Sequence, residues 1–164
     1  MEKTKLHIRI WPDPILRKKC KNIAQVDSDV RELLDKMYYL MKKGDGAGLA
    51  ATQVGLDISL VVIETADKLF KLANPRILKK EGSIVLQEGC LSFPGLMLSI
   101  KRANKVWVSA LDETGNPLDI EAEGVLSVIF QHEIDHINGI LFIDRIPMWK
   151  KILITLRLRR IKRR

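Results

Sequence analysis

Two histidines four residues apart constrain this chain more than any other feature of its sequence. His132 and His136 flank Glu133 in the run His-Glu-Ile-Asp-His. On an α-helix this spacing places both imidazoles on one face, where they can bind a single metal ion. Three apolar residues fall on the same face: Val125, Val128 and Ile129. The pattern therefore predicts a helix that carries a metal site on its buried side.

A catalytic site of this kind needs three protein ligands and one open position, so a third ligand must come from elsewhere in the chain. Two metallopeptidase patterns place that ligand after the second histidine. The only acidic residue after His136 is Asp144, so no glutamate is available there. Phe142 stands where the other pattern requires a histidine. We therefore expect the third ligand to lie upstream.

Three upstream residues have suitable donor atoms. His7 lies among charged residues near the amino terminus, which is a poor anchor for a metal. Cys20 lies in a basic run, whereas Cys90 lies in a segment bounded by glycine and proline that can approach a ligand closely. Cys90 is the stronger candidate, because a thiolate and two imidazoles suit a borderline divalent metal.

Three motifs, in the order in which they occur along the chain, resemble those of the peptide deformylases. They read Gly46-Ala47-Gly48-Leu49-Ala50-Ala51-Thr52-Gln53, Glu88-Gly89-Cys90-Leu91-Ser92 and Gln131-His132-Glu133-Ile134-Asp135-His136. The likeness extends to residues 12–17, 74–75 and 139–144, so that about the last dozen residues fall outside it. Each motif alone is weak evidence, but chance does not readily produce three in order.

The resemblance implies a hydrolase that removes the N-formyl group from the N-terminal formylmethionine of newly made polypeptides and releases formate. It assigns the metal ligands to Cys90, His132 and His136. It implies ferrous iron in the cell, with zinc, nickel or cobalt able to occupy the same donors. Glu133 would accept a proton and return it to the leaving amine. The Gln53 side-chain amide and the Leu91 backbone N–H would stabilise the oxyanion.

The substrate site is expected beside these residues. Gly48 lets an extended peptide lie close to the backbone in the manner of an added strand, and Gly89 would pair with it from the other side. The methionine side chain would enter an apolar pocket with these walls: Ala47, Leu91, Val125, Val128 and Ile129.

Length and composition indicate one catalytic domain over residues 1–149, followed by a basic tail at 150–164. The sequence contains neither a signal-peptide core nor a membrane-spanning run, and it contains only two cysteines. A reactive thiolate is best protected in a reducing compartment. We therefore expect a cytoplasmic protein without membrane contact, and a monomer.

The positive charge of the chain lies in its tail. Residues 150–164 hold eight of the 28 Lys and Arg and no acid, so the remaining 20 basic residues balance the 20 acidic ones. Such a block favours phosphate-rich partners. Some deformylases dock on the ribosome through a basic carboxy-terminal helix, so the resemblance implies possible ribosome contact. A merely solvated end is the alternative, and although the periodicity fits both strand and helix, we favour a helix.

The coarse pattern predicts an α+β fold, with antiparallel sheets packed around a central helix that carries the HExxH motif. A first helix is predicted over Asp27–Lys43, capped by Asp27 or Ser28, and Asn138-Gly139 should end the motif helix. The predicted strands are Ser59–Glu64, Lys68–Ala73, Arg76–Lys80, Ser83–Leu86, Lys105–Leu111 and Leu118–Ala122.

Two other functions stay open from the residues alone. One is an HExxH metallopeptidase that cleaves ordinary peptide bonds, against which the missing downstream ligands count. The other is a non-catalytic ribosome- or RNA-binding protein, suggested by the tail. Aromatic residues form only 5% of the chain and show no stacking pattern, which disfavours that second reading.

Overall fold

A computed structural model describes residues 6–162; residues 1–5 and the last two residues of the predicted tail, 163–164, lie outside the described part. Three α-helices and seven strands follow one another there. The helices are α1 (Ser28–Lys43), α2 (Val125–Ile137) and α3 (Met148–Lys162). The strands are β1 (Gly48–Ala50), β2 (Leu60–Glu64), β3 (Leu69–Glu81), β4 (Ile84–Glu88), β5 (Leu98–Arg102), β6 (Lys105–Leu111) and β7 (Pro117–Glu123).

The strands form two antiparallel sheets, which confirms the α+β prediction. The larger sheet has the order β1-β2-β3-β6-β7, and β4 pairs with β5 in a separate hairpin. Helix α1 packs against β1, β2 and β3 of the large sheet. Helix α2 contacts the same three strands and β7. Both helices therefore bury their apolar side chains against the large sheet.

The first helix follows the sequence prediction closely. The Asp27 carboxylate accepts a 2.9 Å hydrogen bond from the Val30 N–H, as an N-cap should, and the helix ends before Gly44. Leu34, Met37 and Met41 are fully buried. They recur at three- and four-residue spacing, which places them on one face of the helix.

The prediction of two strands at 68–73 and 76–80 was wrong, because β3 runs continuously through Asn74 and Pro75. Pro75 cannot donate to the sheet, and the pairing with β6 shifts register between Ala73 and Arg76 to accommodate it. Asn74 adopts a left-handed φ of 52°. Its side chain accepts from the Ile23 N–H and donates to the Ile23 carbonyl, both at 2.9 Å, which stabilises this bend.

Two strands were missed from the sequence. β1 is three residues of glycine, leucine and alanine, and it becomes a strand only through its pairing with β2. β5 pairs with β4 over five residues and extends β4 to Glu88, two residues beyond the predicted end. Tertiary pairing rather than local propensity therefore defines the strand that leads into the Cys90 segment.

The motif helix α2 is buried more completely than one apolar face requires. Every residue from Phe130 to Ile137 is buried. Helix α2 ends as predicted, with Asn138 as its C-cap and Gly139 in the left-handed conformation at φ 73°. A side chain at Gly139 would collide with the Arg17 backbone, whose carbonyl carbon lies 2.9 Å from an ideal Cβ.

The tail forms a helix, as favoured from the sequence, but α3 begins at Met148, before the basic block. Ile154 and Leu158 pack against the apolar cluster that contains Leu141 and Phe142. The opposite side leaves five large apolar residues at least half exposed: Met148, Trp149, Ile152, Leu153 and Leu156. Among the described helices, none has the length and apolar character to cross a bilayer.

Asp144 joins α3 to the body of the protein. Its carboxylate accepts hydrogen bonds from the Arg17 guanidinium, from Lys151 of α3 at 2.5 Å and from the Leu141 N–H at 2.8 Å. Burial by itself raises the pKa of Asp144, but these three donors lower it to about 2. The ionised form is therefore the form that stabilises this junction.

We predict that Asp144→Asn lowers the thermal unfolding midpoint at neutral pH. Because the folded pKa lies below the ordinary value of 3.8, the wild-type advantage should be full above about pH 5. It should disappear as the pH falls through about 2. Asp119→Asn on exposed β7 is the matched control and should change stability by less than about 0.5 kcal/mol. Equal midpoints for wild type and Asp144→Asn at neutral pH would contradict this role.

Candidate metal centre

Three donor atoms from two distant segments meet beside α2. The metal-ligating atoms of Cys90, His132 and His136 all lie within 4.8 Å of one another, and within residues 6–162 they are the one such group of three. The Cys90 Sγ lies 3.2 Å from the His136 Nε2. Both imidazoles are at least nine-tenths buried, whereas Cys90 is half-buried. The two halves of the predicted ligand set therefore converge.

Glu88 orients one of the histidines. The His132 Nδ1 lies 2.8 Å from the Glu88 Oε2, so that the ring donates this N–H to the carboxylate and leaves its Nε2 for a ligand bond. Burial alone would raise the pKa of Glu88, but hydrogen bonds from Arg102 and His132 hold it below its usual value. Glu88 is thus an ionised acceptor that fixes the ring of His132.

A buried ionic network extends from Glu88 to the surface. Arg102 is only 5% exposed and donates to both Glu88 oxygens, at 2.7 and 2.9 Å. Its remaining nitrogen donates to Asp135 at 2.6 Å, and Arg145 also donates to Asp135 at 3.0 Å. Arg102 is therefore a structural ion-pair residue. Sequence reasoning gave Asp135 no role, although its position three residues after His132 places it one turn along the same helix.

The side-chain amide of Gln53 is held in one orientation. Its Oε1 accepts a 2.9 Å hydrogen bond from the Ala50 N–H, which turns the Nε2 towards Cys90. The Nε2 lies 3.5 Å from the Cys90 Sγ and 3.3 Å from the Ser92 Oγ. The Leu91 backbone N–H makes no hydrogen bond to another described residue. Two donors thus flank Cys90.

Glu133 is buried against the glycine-rich segment. Its Oε2 has no hydrogen-bond partner among the described residues, and burial raises its pKa to about 7. An ideal Cβ at Gly48 would lie 2.8 Å from the Glu133 Cδ, so no other residue fits there without displacing the carboxylate. The structure therefore adds a second reason for glycine at position 48: space for Glu133.

A cavity of about 620 Å³ opens beside the three donors. Its wall includes all the predicted substrate-binding residues: Ala47, Gly48, Gly89, Leu91, Val125, Val128 and Ile129. Val128 is buried, but Val125 is 61% exposed and so stands at the rim. The apolar wall also contains Leu86, Phe93, Pro94, Leu96 and Met97. These five were not predicted as pocket walls, because nothing in their sequence context distinguishes them from ordinary packing residues.

The alternative ligands do not join the site. Neither His7 nor Cys20 belongs to the three-donor group. Cys20 packs at the edge of another apolar cluster, and burial together with the nearby Asp57 carboxylate raises the pKa of its thiol to about 11. A thiol with that pKa stays protonated at neutral pH and is a poor metal ligand.

The donor set fits a small divalent cation. Metal–sulfur bonds of about 2.3 Å and metal–nitrogen bonds of about 2.0 Å place tetrahedral donor atoms about 3–4 Å apart. The 3.2 Å between the Cys90 Sγ and the His136 Nε2 lies in that range. Three protein donors leave a fourth position for water or substrate, and the adjoining cavity provides access to it. This arrangement defines a hydrolase of the metal-dependent class.

Comparisons with known proteins identify the family. The family model described as polypeptide deformylase matches residues 5–151. The chain is 41% identical over 150 residues to the peptide deformylase of Aquifex aeolicus, covering 88% of this chain and 89% of the relative. It is 46% identical over 145 residues to peptide deformylase 2 of Clostridium acetobutylicum, covering 88% and 97%.

Solved structures agree with this result. A peptide deformylase from Legionella pneumophila superposes with a TM-score of 0.88 at 38% identity, covering 96% of this chain and 95% of that one. A plant peptide deformylase superposes with a TM-score of 0.91 at 38% identity, covering 99% and 92%. The chain therefore belongs to the polypeptide deformylase family, whose members remove N-formyl groups from newly made polypeptides.

We predict that Glu88→Ala weakens metal binding about 10- to 100-fold, because His132 loses the acceptor that orients its ring. Glu88→Gln keeps an acceptor oxygen and should lose less. Competition for zinc against a chelator measures the affinity directly, and thermal unfolding of the same samples records the cost of removing one of the two carboxylate partners of Arg102. A less stable Glu88→Ala protein with unchanged zinc affinity would contradict the orienting role.

Proposed function

We propose that this chain hydrolyses the N-formyl amide of formyl-methionyl peptides, with Glu133 moving the proton and with Gln53 and Leu91 binding the oxyanion. The observation that carries the proposal is the buried Glu133 carboxylate, whose Oε2 has no hydrogen-bond partner among residues 6–162 and which lies on the wall of the cavity beside the three metal donors. A carboxylate with a pKa raised to about 7 can both accept and return a proton near neutral pH.

Cys90, His132 and His136 would hold the metal ion. We propose ferrous iron, with zinc, nickel or cobalt as alternatives that the same donors accept. When bound, the metal supplies a Lewis acid that polarises the formyl carbonyl and acidifies water. The residues of this chain supply the rest of the chemistry. Glu133 takes a proton from the attacking water and delivers it to the departing nitrogen, so formate and a free amino terminus result.

The oxyanion would lie between the two donors beside Cys90. The Ala50 N–H holds the Gln53 oxygen, so only the amide nitrogen can point to the developing charge. Within the described part of the chain, no acceptor competes for the Leu91 N–H. Donors fixed in this way lower the barrier because they need no reorganisation when charge develops.

The peptide would add to the edge of the large sheet. β1 pairs with β2 on one side only, so its other edge is open towards the cavity that Gly48 and Gly89 line. An extended chain can hydrogen-bond to that edge, and its methionine side chain would enter the apolar part of the cavity. Helix α2 then acts as the central helix of the fold, presenting Glu133 and both histidines to the scissile bond.

A metallopeptidase would use the same carboxylate, but the ligands that such enzymes supply after the second histidine are absent from this sequence. Asp144 is bound by Arg17 and Lys151, and Phe142 stands where a histidine would be required.

We further propose that residues 1–149 form the catalytic domain of a cytoplasmic monomer and that the tail at 150–164 contacts the ribosome. The exposed apolar side of α3 and its cations support the ribosome contact, whereas a purely RNA-binding protein would have no use for the cavity.

The deciding experiment measures formate release from a formyl-methionyl tripeptide by metal-loaded protein. We predict release from the formylated peptide and no cleavage of the same peptide without the formyl group. Glu133→Ala should keep its metal and lose at least about 100-fold in turnover. Glu123→Ala on exposed β7 is the matched control and should be fully active. Cleavage of internal peptide bonds would instead identify a metallopeptidase, and ribosome binding by inert metal-loaded protein would identify a binding protein.

Removal of the oxyanion donor should act on rate rather than on metal binding. We predict that Gln53→Ala lowers kcat about 10²- to 10³-fold, as expected for the loss of one oxyanion donor. Its metal affinity should change less than about tenfold. Gln87→Ala removes a cavity-lining amide that bonds only Ser99 and serves as the control. Equal losses of kcat in the two variants would exclude an oxyanion role for Gln53.

A further inference from the structure

A second cavity lies on the opposite side of α2 from the metal site. It has a volume of about 610 Å³, and no described residue lines both cavities. Its wall combines Lys19, Cys20 and Asn22 with the second half of β3, the last turn of α2, and Arg145. The register shift of β3 between Ile77 and Lys79 coincides with this wall. The cavity is therefore separate from the catalytic site.

The charge of this cavity is strongly positive. Among the described residues that line it, the cations are Lys19, Arg76, Lys79, Lys80 and Arg145, and Asp135 is the only acid. Arg102 and Arg145 already neutralise that carboxylate. Lys79 pairs with Glu81. The other three cations, Lys19, Arg76 and Lys80, make no ion pair or side-chain hydrogen bond with any residue between 6 and 162.

The carboxyl end of α2, which lines this cavity, does not repel an anion. A helix carboxyl terminus repels anions through its free carbonyl groups. Here the Ile134 carbonyl accepts from the Asn138 side chain, the Asp135 carbonyl from the Ile140 N–H, and the Ile137 carbonyl from the Cys20 N–H, at 2.7–2.9 Å. Since these oxygens are occupied, the unpaired cations dominate the local charge.

We infer that this cavity binds phosphate groups. Unpaired cations that line one concave wall concentrate anions, and the guanidinium of Arg76 can hold two phosphate oxygens at once. Asn22 and Ser59 offer neutral donors on the same wall. About 610 Å³ accommodates more than one phosphate group, so the ligand is a polyphosphate or nucleotide, or a stretch of RNA backbone.

Two probes distinguish the sources of phosphate: inorganic pyrophosphate and a 12-nucleotide RNA of mixed sequence. Titration calorimetry with the full chain measures each. We expect Arg76→Ala/Lys80→Ala to bind at least one probe about tenfold or more weakly than wild type. Lys68→Ala/Lys101→Ala removes the same charge from two exposed lysines outside this wall and is the matched control. Formate release should be unchanged in both double variants, which verifies their folding.

If the Arg76→Ala/Lys80→Ala variant, but not the control variant, loses pyrophosphate binding, the site takes small phosphates. Loss confined to the RNA probe would identify a phosphodiester backbone as the ligand. Either result supports the site, and the side-chain amide NMR signal of Asn22 should then shift on binding. Equal affinities of the two double variants for both probes would overturn the inference, as would the absence of wild-type binding to either probe.

Discussion

The ion pairs of Arg102 hold together the parts of this protein that form its metal site. Arg102 lies at the end of β5, and its guanidinium bonds Glu88 at the end of β4 and Asp135 on α2. The small hairpin that leads into Cys90 is thereby tied to the helix that carries both histidines. Removing one partner of a buried network typically costs about 3–5 kcal/mol, since the other charges remain buried.

The same network explains why the metal ligands can be arranged before a metal binds. Glu88 is ionised because Arg102 faces it, and an ionised Glu88 fixes the His132 ring through the 2.8 Å bond to Nδ1. Gln53 is fixed by a separate hydrogen bond from the Ala50 N–H. His132 and Gln53 are thus each held in one orientation by a second residue, which is how a rigid site limits reorganisation during the reaction.

Helix α2 separates two cavities of opposite charge. Of the described residues, the metal cavity is lined by three acids and no Lys or Arg, whereas the second cavity is lined by five cations and one paired acid. The summed charge of residues 1–149 is zero because 20 basic and 20 acidic residues balance there. A charge count along the chain therefore misses a basic cavity that forms only when Lys19, the second half of β3 and Arg145 come together.

The three motifs, in their order along the sequence, predicted the family and the types of metal ligand. The four-residue spacing of the histidines predicted the helix of the metal site, because residues four apart lie on one face of a helix. Local patterns likewise predicted α1 and the end of α2, where capping residues act on their neighbours. β1, β5 and the continuous β3 were decided by pairing between distant segments, which no local propensity encodes. The ion pairs that Arg102 makes with Glu88 and Asp135 likewise form only in the folded chain. Ion pairs between residues far apart in sequence depend on which surfaces the folded chain buries against each other, and only the tertiary structure specifies that.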